Sequence, residues 1–600
     1  MPGVSETLRL LRTVRHLRPQ QIAGQLRVRA FAALGPARAA ALGRRRVPPW
    51  PGLRRGLPEV QTWLAPGGGH NSRERILGGE LCFLNQARQV GFPPRFEQPQ
   101  ASRLWQYNLH YLEYLWPLDF EQARELALAW IEQHPASAAG AGWEPYPTSL
   151  RIGNLCAVFF RRFASETLAD PELRDRLWRS LWQQGSWLSA HLETHIAGNH
   201  LLENAIALAL LGACFDGPDA AAFRGRGGRL LRAQLEQQVL ADGGHFERSP
   251  MYHLRLVYAL ALLCHCADAE LRELVAPALE RACAALRCLL HPDGQIALLN
   301  DSAFGIYGDP TAVLEFAAAA VPACREQSRP CSCFALADTG YYGARNAAPG
   351  GQDEGQDGGQ GGAHYILCDA APIAADHQPG HAHADLFGFE LSLHGRRLIV
   401  DSGVFDYEDS AERRHCRSTA AHNTVVVDGR DQCELWGVFR VGRRGRPREV
   451  DFRCAVGGFR LEAWHDGYTW LDAKARHRRR FAWHPEGVLL VRDAVEAKGE
   501  LHCESFLHLH PEVELLELRA DRASLGLGEH RVQILFAGGG RLRATDREYF
   551  PEFGKRMAAR ALVYEWSSST AATGFCIGRD IEAFDVYGGA RVGGRLLDFA

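Results

Sequence analysis

None of the sixteen cysteines forms a CxxC pair, which removes zinc ribbons and thioredoxin-like redox motifs from consideration. The closest pairs, Cys264/Cys266 and Cys331/Cys333, are CxC, and Cys156, Cys214 and Cys264 sit in apolar helical surroundings. There cysteine acts as a small hydrophobe, so the usage reads as that of a reduced compartment and not as a disulfide framework. No uncharged apolar run reaches the roughly 18 residues that suggest a bilayer span. The best stretch, Ala205 to Phe215, is far shorter. Arginines 9, 12, 15 and 18 interrupt any secretory-signal pattern at the start, so a cytoplasmic or membrane-peripheral location is expected, with the periplasm left open. GxSxG, HExxH, a P-loop and GxGxxG after a strand are all missing, leaving hydrolase-triad, zincin and nucleotide readings without support. The basic cluster Arg443, Arg444, Arg446 and Arg448 is short and has no aromatic platform, so no nucleic-acid partner is expected. A net charge of −2 identifies no partner by itself.

Six hundred residues exceed what one core usually serves. Residues 1–55 are Arg-rich with Glu6 the only acid, and Leu8, Leu11, Val14 and Leu17 recur at helical spacing. This arm reads as a basic amphipathic helix stopped by Pro19. It suits either an anionic membrane surface or polysaccharide-assembly partner, or packing on the body of the protein. Residues 56–330 carry apolar segments at helical spacing, among them Tyr111–Leu118, Leu201–Phe215 and Leu254–Cys266, separated by short turns. Consecutive helices without strands imply a helical toroid or solenoid. From 331 to 600 the texture is that of strands, including a hairpin across Leu386–Asp401, and implies an antiparallel β-sandwich. A Gly-rich segment at 343–363 reads as a flexible loop within a hairpin.

Chemistry-bearing residues cluster in four places. Between His381 and Asn423 stand His381-Ala-His383-Ala-Asp385, Asp401-Ser402-Gly403 and Ala421-His422-Asn423. Histidines two apart share one side of an extended strand. With Asp401 and His422, a His–Asp–His set suits zinc; hydrogen-bonded core histidines are the plain alternative. Trp143 to Asn154 mixes Tyr146 with Arg151 and Asn154 at a helix entry, which suits a sugar ring and its carboxylate or a capped helix start. In Gly198 to Asn204, His200 and Glu203 share a helix face, with Asn199 as binding residue or N-cap. In Asp242 to His253, a Ser-Pro start puts Tyr252 on the first turn near His245, Glu247 and Arg248, where it is either reactive or an ordinary buried tyrosine.

In chain order WEPYPTSLRIGN, GNHLLEN, DGGHFERSPMYH, NDS (300–302), HAHADLFGFEL, DSG and AHNT resemble the heparinase II/III-like polysaccharide lyases, a group that includes alginate lyases. The resemblance implies an incomplete (α/α) toroid followed by an antiparallel β-sandwich, and β-elimination of a uronic-acid-containing polysaccharide. It assigns Asn199 to neutralising the uronate carboxylate, His200 as base or orienter beside it, Tyr252 as acid/base and His381 as second base. Tyr146, Arg151, Glu203, His245 and Glu247 fall to substrate binding. It also implies a structural Zn2+ on His383, Asp401 and His422 and no organic cofactor. The stretch His16-Leu17-Arg18-Pro19-Gln20-Gln21-Ile22 resembles members associated with bacterial exopolysaccharide production. Two other readings stay open: a non-catalytic carbohydrate-binding or assembly protein of a polysaccharide export system, and a glycoside hydrolase using Asp242 and Glu247.

Overall fold

A computed structural model describes residues 4–30, 45–136 except 61 and 68, 140–325, 333–346, 363–569 except 456 and 457, and 571–599. Most of the Gly-rich segment lies outside these residues. Its flanking strands, Tyr341–Asn346 and His364–Asp369, pair antiparallel as a hairpin requires.

The expected order, a helical (α/α) toroid and then an antiparallel sandwich, is the order found. The helix Gly198–Cys214 is apolar on every face after Asn204 and almost wholly buried, as a helix without a polar stripe must be. It packs between Pro145–Ala157 and Gly217–Gln238. Gly212 permits the second contact, because a Cβ there would lie 2.3 Å from the Arg224 backbone nitrogen. The expected helix at Tyr111–Leu118 is not one. The helix Arg103–Tyr111 ends at Leu112, whose φ of 59° is left-handed, and only the turn Glu113–Leu115 follows. The helical half also holds an unforeseen hairpin, Glu80–Phe83 with Gln86–Gln89. Leu84 and Asn85 both take positive φ, the conformation a two-residue hairpin turn demands.

In the sandwich, one sheet runs Arg541–Tyr549, Met557–Ser567, His502–Leu509, Arg396–Ile399, Phe389–Leu393, His364–Asp369, Tyr341–Asn346, Cys333–Leu336, with Val425–Val427 beside His502–Leu509. The other runs Pro447–Ala455, Gly458–His465, Arg476–His484, Val488–Glu496, Thr573–Gly578, His530–Ala537, Arg522–Leu527, Glu514–Leu518. Their facing apolar sides form one core around Phe389, Leu391, Phe481, Leu489 and Phe575. A disulfide between Cys333 and Cys454 joins the edge strands of the two sheets. This cross-link departs from the reading of reduced, unpaired cysteines: residues 121 apart in sequence meet only in the folded sandwich.

The arm packs on both domains. Val4–Val14 is helical, and Pro19, expected as a stop, opens a second helical run over 19–30, where its missing N–H is harmless. Arg12 pairs with Glu434 at 3.0 Å, and Trp436 donates to Thr13 Oγ1 at 3.0 Å. Gln21 donates to the His377 carbonyl at 2.9 Å, and Arg27 to the Leu192 carbonyl at 3.1 Å. Leu8, Leu11, Ile22 and Leu26 stay exposed. Among the described residues no helix is long and apolar enough to cross a membrane.

Toroid and sandwich meet along a seam of buried polar groups. Arg397 of the sandwich binds Asp293 of the toroid side at 2.7 Å, and Glu390 accepts from His291 at 2.9 Å and from Leu298 N at 3.1 Å. Arg248, buried on the toroid side, donates to the Thr339 carbonyl at 2.7 Å. Low dielectric strengthens such bonds and makes breaking them costly.

Candidate active site

A cleft of about 300 Å³ opens at this seam. Toroid residues Asn199, His200, Tyr252, Tyr146 and Tyr307 line one side, and sandwich residues His381, Tyr407 and Phe439 the other. The four residues assigned to catalysis therefore come together.

Asn199 is placed by unusual backbone. Ala197 and Gly198 have φ of 61° and 59°, and a Cβ at Gly198 would collide with Glu247 Oε1 at 2.1 Å. Only glycine fits, and the strain is held by the surrounding packing. The turn points the Asn199 backbone N–H at Glu247 Oε1 (3.0 Å), while its Nδ2 donates to Glu247 Oε2 (2.8 Å). Glu247 is fully buried. Burial favours its neutral form, but His245, His381 and the Asn199 hydrogen bonds outweigh that and hold its pKa below the usual value. A carboxylate at a helix N-terminus also meets the positive end of the helix dipole. Because Glu247 accepts only, the Asn199 amide orientation is fixed. Its second Nδ2 hydrogen lies on the side of His381 Nε2, 3.5 Å away, and its Oδ1 is buried without a partner.

His200 accompanies it one residue on. Its Nδ1 is 2.9 Å from Glu193 Oε1, and its ring packs on Tyr146. Burial opposes the charged form, yet Glu193, assisted by Glu247 and Glu203, prevails and raises the His200 pKa. Asn204, last in the same motif, holds Glu193 through Oδ1 and Nδ2 at 2.9 and 3.0 Å.

Ser249 caps the helix Pro250–Cys266 by accepting from Tyr252 N, with Pro250 in the first turn. That start sets Tyr252 at the cleft, its ring 4.0 Å from that of His381 and its hydroxyl 3.2 Å from that of Tyr407. Burial, reinforced by Tyr407, puts its pKa well above the ordinary tyrosine value.

His381 and His383 share a side as the spacing implied, but on a loop and not a strand. Both face the fully buried Asp301, His381 through Nδ1 (2.9 Å) and His383 through Nε2 (2.8 Å). Arg413 forks onto the same carboxylate. Burial alone would raise the Asp301 pKa; Arg413 and the histidines hold it well below the carboxylate range. Asp301 takes the Nδ1 side of His381 and turns Nε2 toward the cleft, where Asn199 Nδ2 lies 3.5 Å away, the orienting logic of carboxylate–histidine pairs.

Other assigned residues do not reach the cleft. Arg151 is buried in the toroid on Gln184 (2.9 Å), the His110 carbonyl (3.0 Å) and the Trp130 face, so it serves packing and not substrate. Glu203 lies behind the wall, paired with Arg255 at 2.7 Å. His245 and Glu247 sit beneath Asn199, His245 on Gln238 at 3.0 Å. Asp242 accepts from Thr339 and Gly244 in a turn. With Glu247 also buried, the pair proposed for hydrolysis does not face across the cleft. Glu193, Asp301, Arg413 and Tyr407 were missed; the NDS and DSG motifs flag the neighbourhoods of Asp301 and Tyr407, whereas nothing marks Glu193 or Arg413.

The residues assigned to zinc are adjacent. His422 Nδ1 is 2.7 Å from Asp401 Oδ2, and the His383 and His422 rings are 5.2 Å apart. Placed thus they engage one another and Asp301, and among the described residues no group of three His, Cys, Asp or Glu side chains is arranged to hold a metal ion. The chemistry of the set nonetheless fits one. His383 Nδ1, His422 Nε2 and Asp385 Oδ2 are buried without partners, and burial, with neighbouring carboxylates, raises the pKa of Asp385 to about 6 and that of Asp401 above its usual value.

Models of the heparinase II/III N-terminus and the heparinase II/III-like C-terminal region match residues 121–307 and 329–575. FtsZ-localized protein C of Caulobacter vibrioides is 27% identical over 448 residues, covering 71% of this chain and 70% of that protein. Heparin-sulfate lyase of Pedobacter heparinus is 27% identical over 315 residues, 48% of this chain and 44% of that protein. The matched part thus spans less than half of the latter relative. Among solved structures, heparinase III superposes with a TM-score of 0.69 at 16% identity, over 94% of this chain and 93% of that one. Heparan sulfate lyase HepC from Pedobacter heparinus gives 0.57 at 18%, over 88% of each chain. At these identities the likeness is one of fold.

Proposed function

The chain belongs to the heparinase II/III-like family, whose members are polysaccharide lyases, and from that premise we propose that it cleaves a uronic-acid-containing polysaccharide by β-elimination in the seam cleft. The observation that carries the reading is the convergence on one space of Asn199, His200, Tyr252 and His381, with the amide held by Glu247, the His200 pKa raised by Glu193 and His381 oriented by Asp301. Asn199 Nδ2 and protonated His200 neutralise the substrate carboxylate, which makes the C5 proton acidic. His381 Nε2 takes that proton. The C5–H electrons form the C4=C5 double bond, the C4–O4 bond breaks, and Tyr252 protonates the departing oxygen. Its raised pKa keeps Tyr252 protonated until then, so it is acid and not base in the resting site. Wild-type protein given uronate polymers should generate the ultraviolet absorbance of unsaturated uronate ends. Tyr252→Phe should lower kcat by roughly 10²–10⁴-fold with binding retained. New reducing ends without that absorbance would replace elimination by hydrolysis.

A second reading, a carbohydrate-binding or assembly protein of a polysaccharide system, is favoured by the relative named for its association with FtsZ. It requires carbohydrate binding that survives Tyr252→Phe and wild-type protein with no turnover to lose.

We also propose a structural zinc ion on His383, Asp401 and His422, supported by the unpartnered nitrogens of the two histidines and by the burial of the carboxyl groups around them. Bound there, it would supply positive charge that steadies the loop of His381. Elemental analysis should find about one zinc per chain, lost in His422→Ala, with the melting temperature falling on chelation; metal-free protein indifferent to chelator would end this proposal. For the arm we propose contact with an anionic lipid surface, supported by its arginine excess and its exposed Leu8, Leu11, Ile22 and Leu26. That contact accords with a membrane-peripheral location and with work on the cell's own exopolysaccharide.

A further inference from the structure

We infer that the substrate is an unsulfated uronate polymer, whose only charges at the cleft are its carboxylates. The inference rests on the lyase reading and narrows it. A sulfated glycan adds to its carboxylates sulfate groups that stay ionised at every working pH, and proteins meet these with arginine forks and lysines. This cleft offers almost none.

Among its described lining residues the only arginine is Arg103, and the side chain of Arg103 is already paired with Glu144. No lysine lines it; the three lysines of the chain, Lys474, Lys498 and Lys555, all belong to the sandwich half. The arginines just behind the wall are spent. Arg255 is held by Glu203 at 2.7 Å and approached by Glu113 at 3.8 Å, and Arg413 is locked on Asp301. Two carboxyl groups, Glu113 and the exposed Glu408, themselves line the space. Burial pushes Glu113 up to about 7 despite Arg255, and neither carboxyl supplies a positive charge to a sulfate. A sulfate entering here would shed its water without gaining a cation, and desolvation of an unpaired charge is strongly unfavourable.

The remaining wall suits neutral sugar. Tyr107, Tyr111, Tyr146, Tyr307 and Tyr407 line it with uncharged aromatic rings, the kind of side chain that packs against sugar rings. The one place prepared for an anion is the Asn199–His200 corner, which matches a single carboxylate at the reacting residue.

The test compares matched polymers. Heparan sulfate and chondroitin sulfate are each paired with the same backbone chemically desulfated and N-acetylated, and alginate is added as a naturally unsulfated uronate. Binding is measured by affinity electrophoresis with the full Tyr252→Phe chain, and turnover with wild type. At least one unsulfated polymer should bind tenfold or more tightly than any sulfated one and be the one cleaved. Equal or tighter binding of a sulfated member, or binding of none, overturns the inference. Cleavage confined to sulfated polymers would sink it while leaving the lyase reading intact. Preferential binding of unsulfated polymer with no cleavage by wild type would keep the charge argument and sink the lyase reading.

Discussion

His200 and Glu193 show how one contact sets the role of a residue. The carboxylate at 2.9 Å outweighs burial and favours imidazolium, and the proposed mechanism therefore uses His200 as a cation toward the substrate carboxylate and not as its base. Activity that needs the charged form falls as pH rises through the raised His200 pKa. Glu193→Gln removes the group that raises it, so the alkaline limb of kcat/KM should move to lower pH, while the acid limb, set by protonation of the base, should stay. An unmoved alkaline limb would show that His200 need not be charged. Asn199, His200, Tyr252 and His381 were legible because each stands in a motif where polar residues interrupt an apolar pattern. Glu193 was not, since a lone glutamate in a loop carries no pattern and becomes meaningful only where Asn204 folds back on it. Arg151 misled for the opposite reason. An arginine beside tyrosines reads as a substrate contact, yet Trp130 and Gln184 make a buried home for it.

Elements were legible where periodicity was strong. The helix Gly198–Cys214 and the strands Arg476–His484 and Val488–Glu496 fall where their patterns put them. The hairpin Phe389–Leu393/Arg396–Ile399 turns at His394-Gly395, both with positive φ, as its polar turn suggested. Strands such as Glu514–Leu518 escape because Glu-Leu-Leu-Glu-Leu does not alternate apolar with polar residues and so carries no period-two signal. The arm is legible only in part. Its amphipathic pattern suggests one apolar face against the protein, but the contacts made are mostly polar, and Leu11 and Leu26 remain 59% and 62% exposed. If those side chains enter a lipid headgroup layer, Leu11→Asp with Leu26→Asp should abolish sedimentation with anionic vesicles and leave turnover of soluble oligosaccharide unchanged. Vesicle binding that survives both substitutions would refute lipid contact through this face.

At the scale of the molecule the seam decides how the cleft behaves. Arg413–Asp301, His291–Glu390 and the Arg248 bonds to the Thr339 region cross it in buried surroundings, with Arg397–Asp293 at its exposed rim. Breaking one buried ion pair costs about 3–5 kcal/mol, so an open form that breaks Arg413–Asp301 is not appreciably populated. Substrate should therefore enter a cleft of fixed width: the radius of gyration from solution scattering should not change when a non-cleaved oligosaccharide saturates Tyr252→Phe. A contraction on binding would reveal a closing motion. The change of texture from helices to strands near residue 330 was plain in the sequence, whereas the seam was not, since its partners lie about 90 to 112 positions apart and no local pattern joins them. Asp301 belongs to the toroid side, and the histidine it orients to the sandwich. Neither half thus owns a working centre. Exchanging one half for that of a relative would therefore carry over a fold without this pairing, and the visible boundary between the two regions divides architecture but not the cleft.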